Sequence, residues 1–266
     1  MKLSVIGCGN MATAIIGGLI KNRIFEPSEI TASDKNPQAR TRMAKTYGIH
    51  TVDDNTVCVR QAGAGDMVLL AVKPNIFKAV ASDIRNDLEG KIVLSIMAGR
   101  TIADLEEGLG KDCKIVRAMP NTPALVGEGI TGYCANDQVN KDELEKAGRL
   151  IAGFSQAEQV PESLMAVVTS VSGSAPAFVY MMIEAMADGA VAEGMPRAQA
   201  YHFAAQTVLG SAKMVLDTGR HPGDLKDMVC SPAGTTIEGV CALEEKGFRS
   251  AVIQAVRAAA DKARSI

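Results

Sequence analysis

Residues 2–6, Lys-Leu-Ser-Val-Ile, run into Gly7-Cys8-Gly9-Asn10-Met11-Ala12 and then into an apolar-periodic stretch through Ala14, Ile15, Leu19 and Ile20. A short apolar run, a glycine turn and a helical period predict strand, turn and helix in that order. The pattern recurs at Ile30–Ser33, Met67–Val72, Ile92–Ile96 and Lys114–Ala118, with helical patterns between several of these runs. Such alternation predicts a parallel, doubly wound sheet, and continuous runs such as 67–72 suit strands buried on both faces.

Gly7-x-Gly9-x-x-Ala12 gains meaning from its place between a strand and a helix. Gly7 permits the tight turn, Gly9 lets the backbone approach a pyrophosphate, and Ala12 lets the helix pack closely on the strand. The second strand ends at Ser33-Asp34, where a carboxylate accepts hydrogen bonds from an adenosine ribose. Lys35, Asn36, Arg40 and Arg42 follow, each able to meet a 2′-phosphate, so NADH and NADPH both stay open, with Asp34 tilting the reading towards NADH. Ala71-Val72-Lys73-Pro74, Ser95–Ala98 and Met119-Pro120-Asn121-Thr122-Pro123 fall at the carboxyl ends of strands, where open sheets bind ligands. Lys73 either touches the nicotinamide side or is an ordinary surface lysine.

Past about residue 158 strand signals nearly vanish. The chain divides into 1–158, an α/β dinucleotide-binding domain, and 159–266, an all-α domain with helices expected over 164–171, 176–193, 196–217 and 237–264. Rich in alanine and methionine and poor in aromatics, these helices bury little alone and are expected to pack against a second copy. Ser172 and Ser174 are read as caps of the helix carrying Pro176, and Glu184 and Asp188 as carboxylates of a dimer or interdomain surface rather than a catalytic pair. At 228–239, Met-Val-Cys-Ser-Pro-Ala-Gly-Thr-Thr-Ile-Glu-Gly follows the polar run 221–227. Ser231 is the expected cap and Pro232 the expected first helical residue. Such a helix start attracts carboxylates and phosphates.

The 266 residues carry a formal net charge of −2 with no Lys/Arg run, which argues against a nucleic-acid or membrane surface. No apolar stretch is read as reaching membrane-spanning length, and the opening residues lack signal-peptide features, so the expected location is the cytoplasm. The six cysteines, at 8, 58, 113, 134, 230 and 241, form no Cys-x-x-Cys pair and are expected to be reduced. His50, His202 and His221 lie far apart in sequence, so no metal site is expected. Cys230 is noted for its closeness to a helix start, where a thiol pKa falls.

Taken together, Gly7-Cys8-Gly9-Asn10-Met11, Ala71–Pro74, Met119–Pro123, Ser172-Gly173-Ser174-Ala175-Pro176-Ala177 and His221-Pro222-Gly223 through Thr236 resemble the pyrroline-5-carboxylate reductases nearly end to end. The resemblance implies an N-terminal Rossmann-type domain with a mainly parallel sheet that binds NADPH or NADH. It also implies an all-α C-terminal dimerisation domain, often assembled into a decamer. It assigns the cofactor to Gly7, Cys8, Gly9, Asn10, Met11, Ala12, Asp34, Asn55, Ala71, Val72, Lys73 and Pro74, with the backbone of Ile96, Met97 and Ala98. The substrate falls to Val229, Gly234, Thr235 and Thr236, with Thr236 catalytic beside the ring nitrogen. Ala175 and Ala233 depart from the family's usual glycines, and a methyl at 233 demands a particular backbone angle.

The implied reaction adds a hydride to a protonated cyclic imine, which needs positioning more than acid–base machinery. One rival is a hydroxyacid dehydrogenase with a catalytic lysine in its helical domain, for which only Lys213 and Lys226 are candidates. A second is a non-catalytic nucleotide sensor, which would not need residues 229–236 as a second site.

Overall fold

The computed structural model describes residues 1–265. The five expected strands of the first half are present and β3 is an addition: β1 (Leu3–Ile6), α1 (Asn10–Lys21), β2 (Ile30–Ser33), α2 (Pro37–Tyr47), β3 (His50–Val52), α3 (Asn55–Val59), β4 (Met67–Leu70), α4 (Phe77–Ile84), β5 (Ile92–Ser95), α5 (Ile102–Leu109) and β6 (Lys114–Met119). It continues through β7 (Ile130–Ala135), α6 (Lys141–Ala152) and β8 (Gln156–Gln159). These strands form one eight-stranded sheet in the order β3-β2-β1-β4-β5-β6-β7-β8. Only the β6–β7 pair is antiparallel, so the sheet is mainly parallel.

β1, β2, β4 and β5 are buried along their whole length, as the apolar runs require. One core layer joins Ile15, Ile16 and Leu19 of α1 to Leu150, Ile151 and Phe154. The other joins Phe77, Val80 and Ile84 of α4 to Leu105 and Leu109 of α5. Two strands stop earlier than their apolar runs. β4 ends at Leu70 because the chain turns at Lys73-Pro74, and β5 ends at Ser95.

The chain separates into two compact units, Met1–Gly173 with Ala259–Ile266, and Ser174–Ala258. The later helices are α7 (Met165–Val168), α8 (Ala175–Ala192), α9 (Arg197–Thr218), α10 (Pro222–Val229), α11 (Thr235–Glu245) and α12 (Phe248–Arg264). Three expectations change here. The polar run 221–227 is mostly helix: the His221 side chain accepts from the Gly223 N–H, and Pro222 occupies the first helical position. The span 237–264 is two helices, parted at Lys246-Gly247. Ser172 and Ser174 cap nothing, because a π-helical stretch, Thr169–Ser174, runs straight into α8. Inside that continuous helix the Ser172 hydroxyl donates back to the Val168 carbonyl at 2.7 Å.

That continuity also overturns the reading that no stretch reaches spanning length, for the helical segment Glu162–Ala192, 31 residues, is long and apolar enough to do so. In the helical unit α8 packs on α9 through Ala187, Ala200 and Ala204, an interface of small side chains. Large apolar groups stay uncovered, among them Tyr180, Met181, Phe203, Leu209 and Leu216. Ala175, Phe178, Val179 and Met182 of α8 line an open apolar groove of about 490 Å³ with Phe248, Val252, Ile253 and Val256 of α12.

Candidate functional site

β2 and β4 flank β1 on opposite sides, so the strand order reverses there, at the point where doubly wound sheets bind ligands. Gly7 turns off β1 with φ +105°, and a Cβ there would stand 2.6 Å from the Ala71 carbonyl oxygen. Only glycine fits. Gly9 is different: the space beside its Cα is open, and it heads α1 with no side-chain cap. α1 therefore presents uncapped amides and the positive end of its dipole next to a backbone that another group can approach closely. Ala12 is buried against the sheet, while Asn10 is exposed and Met11 half-buried. A pyrophosphate fits this cradle.

Asp34, just past β2, ties the loop down. Its Oδ2 accepts the Cys8 N–H at 2.8 Å and its Oδ1 accepts the Asn36 N–H at 2.8 Å. Arg42 donates to the Cys8 carbonyl at 2.8 Å, and Arg40 to the Asp34 carbonyl at 2.7 Å. The Cys8 thiol lies under the loop with its pKa pushed up to about 12, chiefly by burial and then by Asp34, so it remains a neutral packing group. Cys58 and Cys134 are raised to about 11 and Cys113 to about 12, with burial the largest cause each time. All six cysteines are free.

The carboxamide of Asn55 is committed within the protein: its Oδ1 accepts from Ser33 at 2.8 Å and its Nδ2 donates to Asp83 at 3.0 Å. It braces the end of β2 from beneath. Ala71, Val72 and Pro74 are half-buried beside the glycine turn, and Lys73 is exposed. Arg100 donates to the Pro74 carbonyl at 3.0 Å and so joins the loop after β4 to the loop after β5, which carries Ile96, Met97 and Ala98. Met97 is buried there, and Ala98 is exposed. Arg100 escaped the sequence reading. Its role depends on a carbonyl 26 residues away, and no local pattern signals that.

In the helical unit, residues 230–234 link α10 to α11. α11 begins at Thr235, not at Pro232, and Gly234 is its N-cap residue, so Ser231 is not the cap. The reason is a tight turn: the Gly234 N–H donates to the Ser231 carbonyl at 3.1 Å, and Ala233 takes a left-handed φ of +54°. A Cβ on Gly234 would collide with the Ser231 hydroxyl. α11 therefore starts uncapped, with Thr235 exposed and Thr236 half-buried in its first turn and no hydrogen bond from either hydroxyl among the described residues. Val229, the last residue of α10, is largely exposed. Cys230 is the C-cap residue of α10, at the carboxyl end of that helix and not at a helix start. Of the two candidate lysines of a dehydrogenase, Lys213 pairs with Asp217 at 2.7 Å and Lys226 with Asp227, both on the surface. Asp188 pairs with Arg197, and Glu184 is exposed.

Comparison with known proteins covers both halves. The family described as pyrroline-5-carboxylate reductase dimerisation matches residues 162–266, and the family described as NADP oxidoreductase, coenzyme F420-dependent, matches residues 2–99. The chain is 48% identical to the pyrroline-5-carboxylate reductase of Escherichia coli, over all of this chain and 98% of that one. It is 44% identical to the enzyme of that name from Methanosarcina acetivorans, over 100% of this chain and 97% of the relative. Among solved structures, the pyrroline-5-carboxylate reductase of Coxiella burnetii superposes with a TM-score of 0.92 at 34% identity, covering 99% of this chain and 97% of that one. The Plasmodium falciparum pyrroline carboxylate reductase with NADP bound superposes with a TM-score of 0.90 at 32% identity, covering 100% and 97%.

Proposed function

The chain belongs to the pyrroline-5-carboxylate reductase family and reduces 1-pyrroline-5-carboxylate to L-proline with NAD(P)H, and we propose that the start of α11 holds the substrate while the glycine loop and its neighbours hold the dinucleotide. The observation that carries the substrate assignment is the uncapped start of α11, with Gly234 at its head and two threonines in its first turn. Backbone amides of residues 234–236 and the positive dipole end clamp the substrate carboxylate. The Thr236 hydroxyl, with no hydrogen-bond partner among the described residues, hydrogen-bonds the ring nitrogen, and Val229 supplies an apolar contact.

In the other unit, the amides at Gly9–Ala12 receive the pyrophosphate, Asp34 faces the adenosine ribose, and Ala71–Pro74 with Ile96–Ala98 line the nicotinamide side. Asn55 supports β2 from below. When bound, NAD(P)H supplies the hydride. The imine carbon gains that hydride, the C=N π pair moves onto nitrogen, and the ring ends as a secondary amine. Protonation of the nitrogen before transfer makes the carbon electrophilic, and the imine is basic enough to take that proton from water near neutral pH. The chain's part is therefore to fix the carboxylate and orient the ring, which is how a site with few titratable groups still accelerates the reaction.

Dimerisation uses the helical domain, residues 159–266 as we divide the chain. We further propose a decamer built from such dimers and a cytoplasmic location, supported by the balanced charge and the uncovered helical faces. The activity test is initial-rate oxidation of NADH and NADPH with pyrroline-5-carboxylate against a panel of 2- and 3-oxo acids. Turnover on the cyclic imine alone is expected, whereas faster turnover on an oxo acid would assign the dehydrogenase chemistry instead.

A further inference from the structure

We infer that Asp34 makes this chain favour NADH over NADPH. The inference rests on the reading that the glycine loop holds the dinucleotide, and it adds which dinucleotide. Asp34 is not a loose surface carboxylate. Two backbone amides, those of Cys8 and Asn36, each 2.8 Å from one of its oxygens, fix it between the end of β2 and the glycine loop. To turn away from a ligand it would have to release both bonds, which are stronger than neutral ones because the acceptor is charged.

A carboxylate has about four acceptor positions, so two remain for the 2′- and 3′-hydroxyls of an unphosphorylated ribose. A 2′-phosphate offers no donor in exchange and sets its own negative charge beside this fixed one. Two nearby cations act in the opposite direction, and both are tied to the loop backbone. Arg42 holds the Cys8 carbonyl at 2.8 Å, and Arg40 holds the carbonyls of Asp34 at 2.7 Å and Lys35 at 3.3 Å. Both guanidiniums thus serve to shape the loop on which Asp34 sits. Lys35 is exposed on the same turn and remains a mobile point charge.

The test compares binding of 5′-AMP and 2′,5′-ADP, which differ only by the 2′-phosphate, by calorimetry, together with kcat/KM for NADH and NADPH, in the wild-type chain and in Asp34→Ser and Asp34→Asn. The asparagine variant removes the charge while keeping an acceptor for one of the two loop amides, so it reports on charge even if the serine variant folds poorly. The wild type is expected to bind 5′-AMP about tenfold more tightly than 2′,5′-ADP, and both variants to move that ratio about tenfold towards the 2′-phosphorylated probe, with the kcat/KM ratio moving in parallel. Equal or tighter wild-type binding of 2′,5′-ADP, or ratios unchanged in both variants, would overturn the role given to Asp34 and leave the dinucleotide site standing. Binding of neither probe, with NAD(P)H turnover intact, would overturn the placement of the cofactor as well.

Discussion

Ala233 carries the clearest local strain, sharing with Arg23 alone, among the described non-glycine residues, a positive φ, here +54°. The left-handed region costs a non-glycine residue roughly 1–2 kcal/mol, set against about 0.4–1 kcal/mol gained by restricting the unfolded chain relative to glycine. Ala233→Gly is therefore expected to raise unfolding stability by about 0.5–1 kcal/mol in denaturant titration. A loss of stability would mean that the methyl makes a contact worth more than the strain. The angle itself shows what this alanine does: it adopts a left-handed conformation that glycine takes more readily, with Gly234 at the head of α11.

At the scale of elements, the two glycines of the loop after β1 make opposite demands. At Gly7 a methyl meets the Ala71 carbonyl at 2.6 Å on a backbone with φ +105°, whereas at Gly9 it meets nothing within 4 Å among the described residues. Gly7→Ala should thus lower the melting temperature and weaken cofactor binding together. Gly9→Ala should keep the melting temperature of the wild type and lose cofactor affinity by at least about tenfold, because the methyl occupies space only a ligand needs. Cofactor titration and thermal melts separate the two, and unchanged affinity in Gly9→Ala would remove the pyrophosphate from that position. This loop was legible in the sequence because glycine, strand and helix signals coincide within a dozen residues. β3 and β8 were not, since His50-Thr51-Val52 and Gln156-Ala157-Glu158-Gln159 are half-exposed edge pieces without an apolar run, and their pairing is set by distant partners. The same applies to α10, whose polar sequence hides a helix fixed by the His221 side chain and Pro222, and to the start of α11. There Ser231-Pro232 imitates a cap, but the chain first makes the turn at Ala233.

At the scale of the whole molecule, the sheet-bearing unit encloses a core of its own, while the helical unit leaves apolar side chains such as Leu216, Phe203 and Met181 in the open. Such a surface is what a dimerisation domain covers with its own copy. Ile253→Asp, in the groove between α8 and α12, is expected to shift the chain from dimer or higher oligomer towards monomer in light scattering, with activity falling alongside. An unaltered oligomer would move the contact to another helical face. The central claim concerns the chemistry at α11, and the most direct measurement is kcat/KM for pyrroline-5-carboxylate in Thr236→Ala, taken with the dissociation constant for NAD(P)H. Loss of one hydrogen bond to a charged substrate predicts a fall in kcat/KM of roughly 10- to 100-fold with cofactor affinity within about twofold of wild type. Unaltered kinetics would contradict the placement of the ring nitrogen at Thr236.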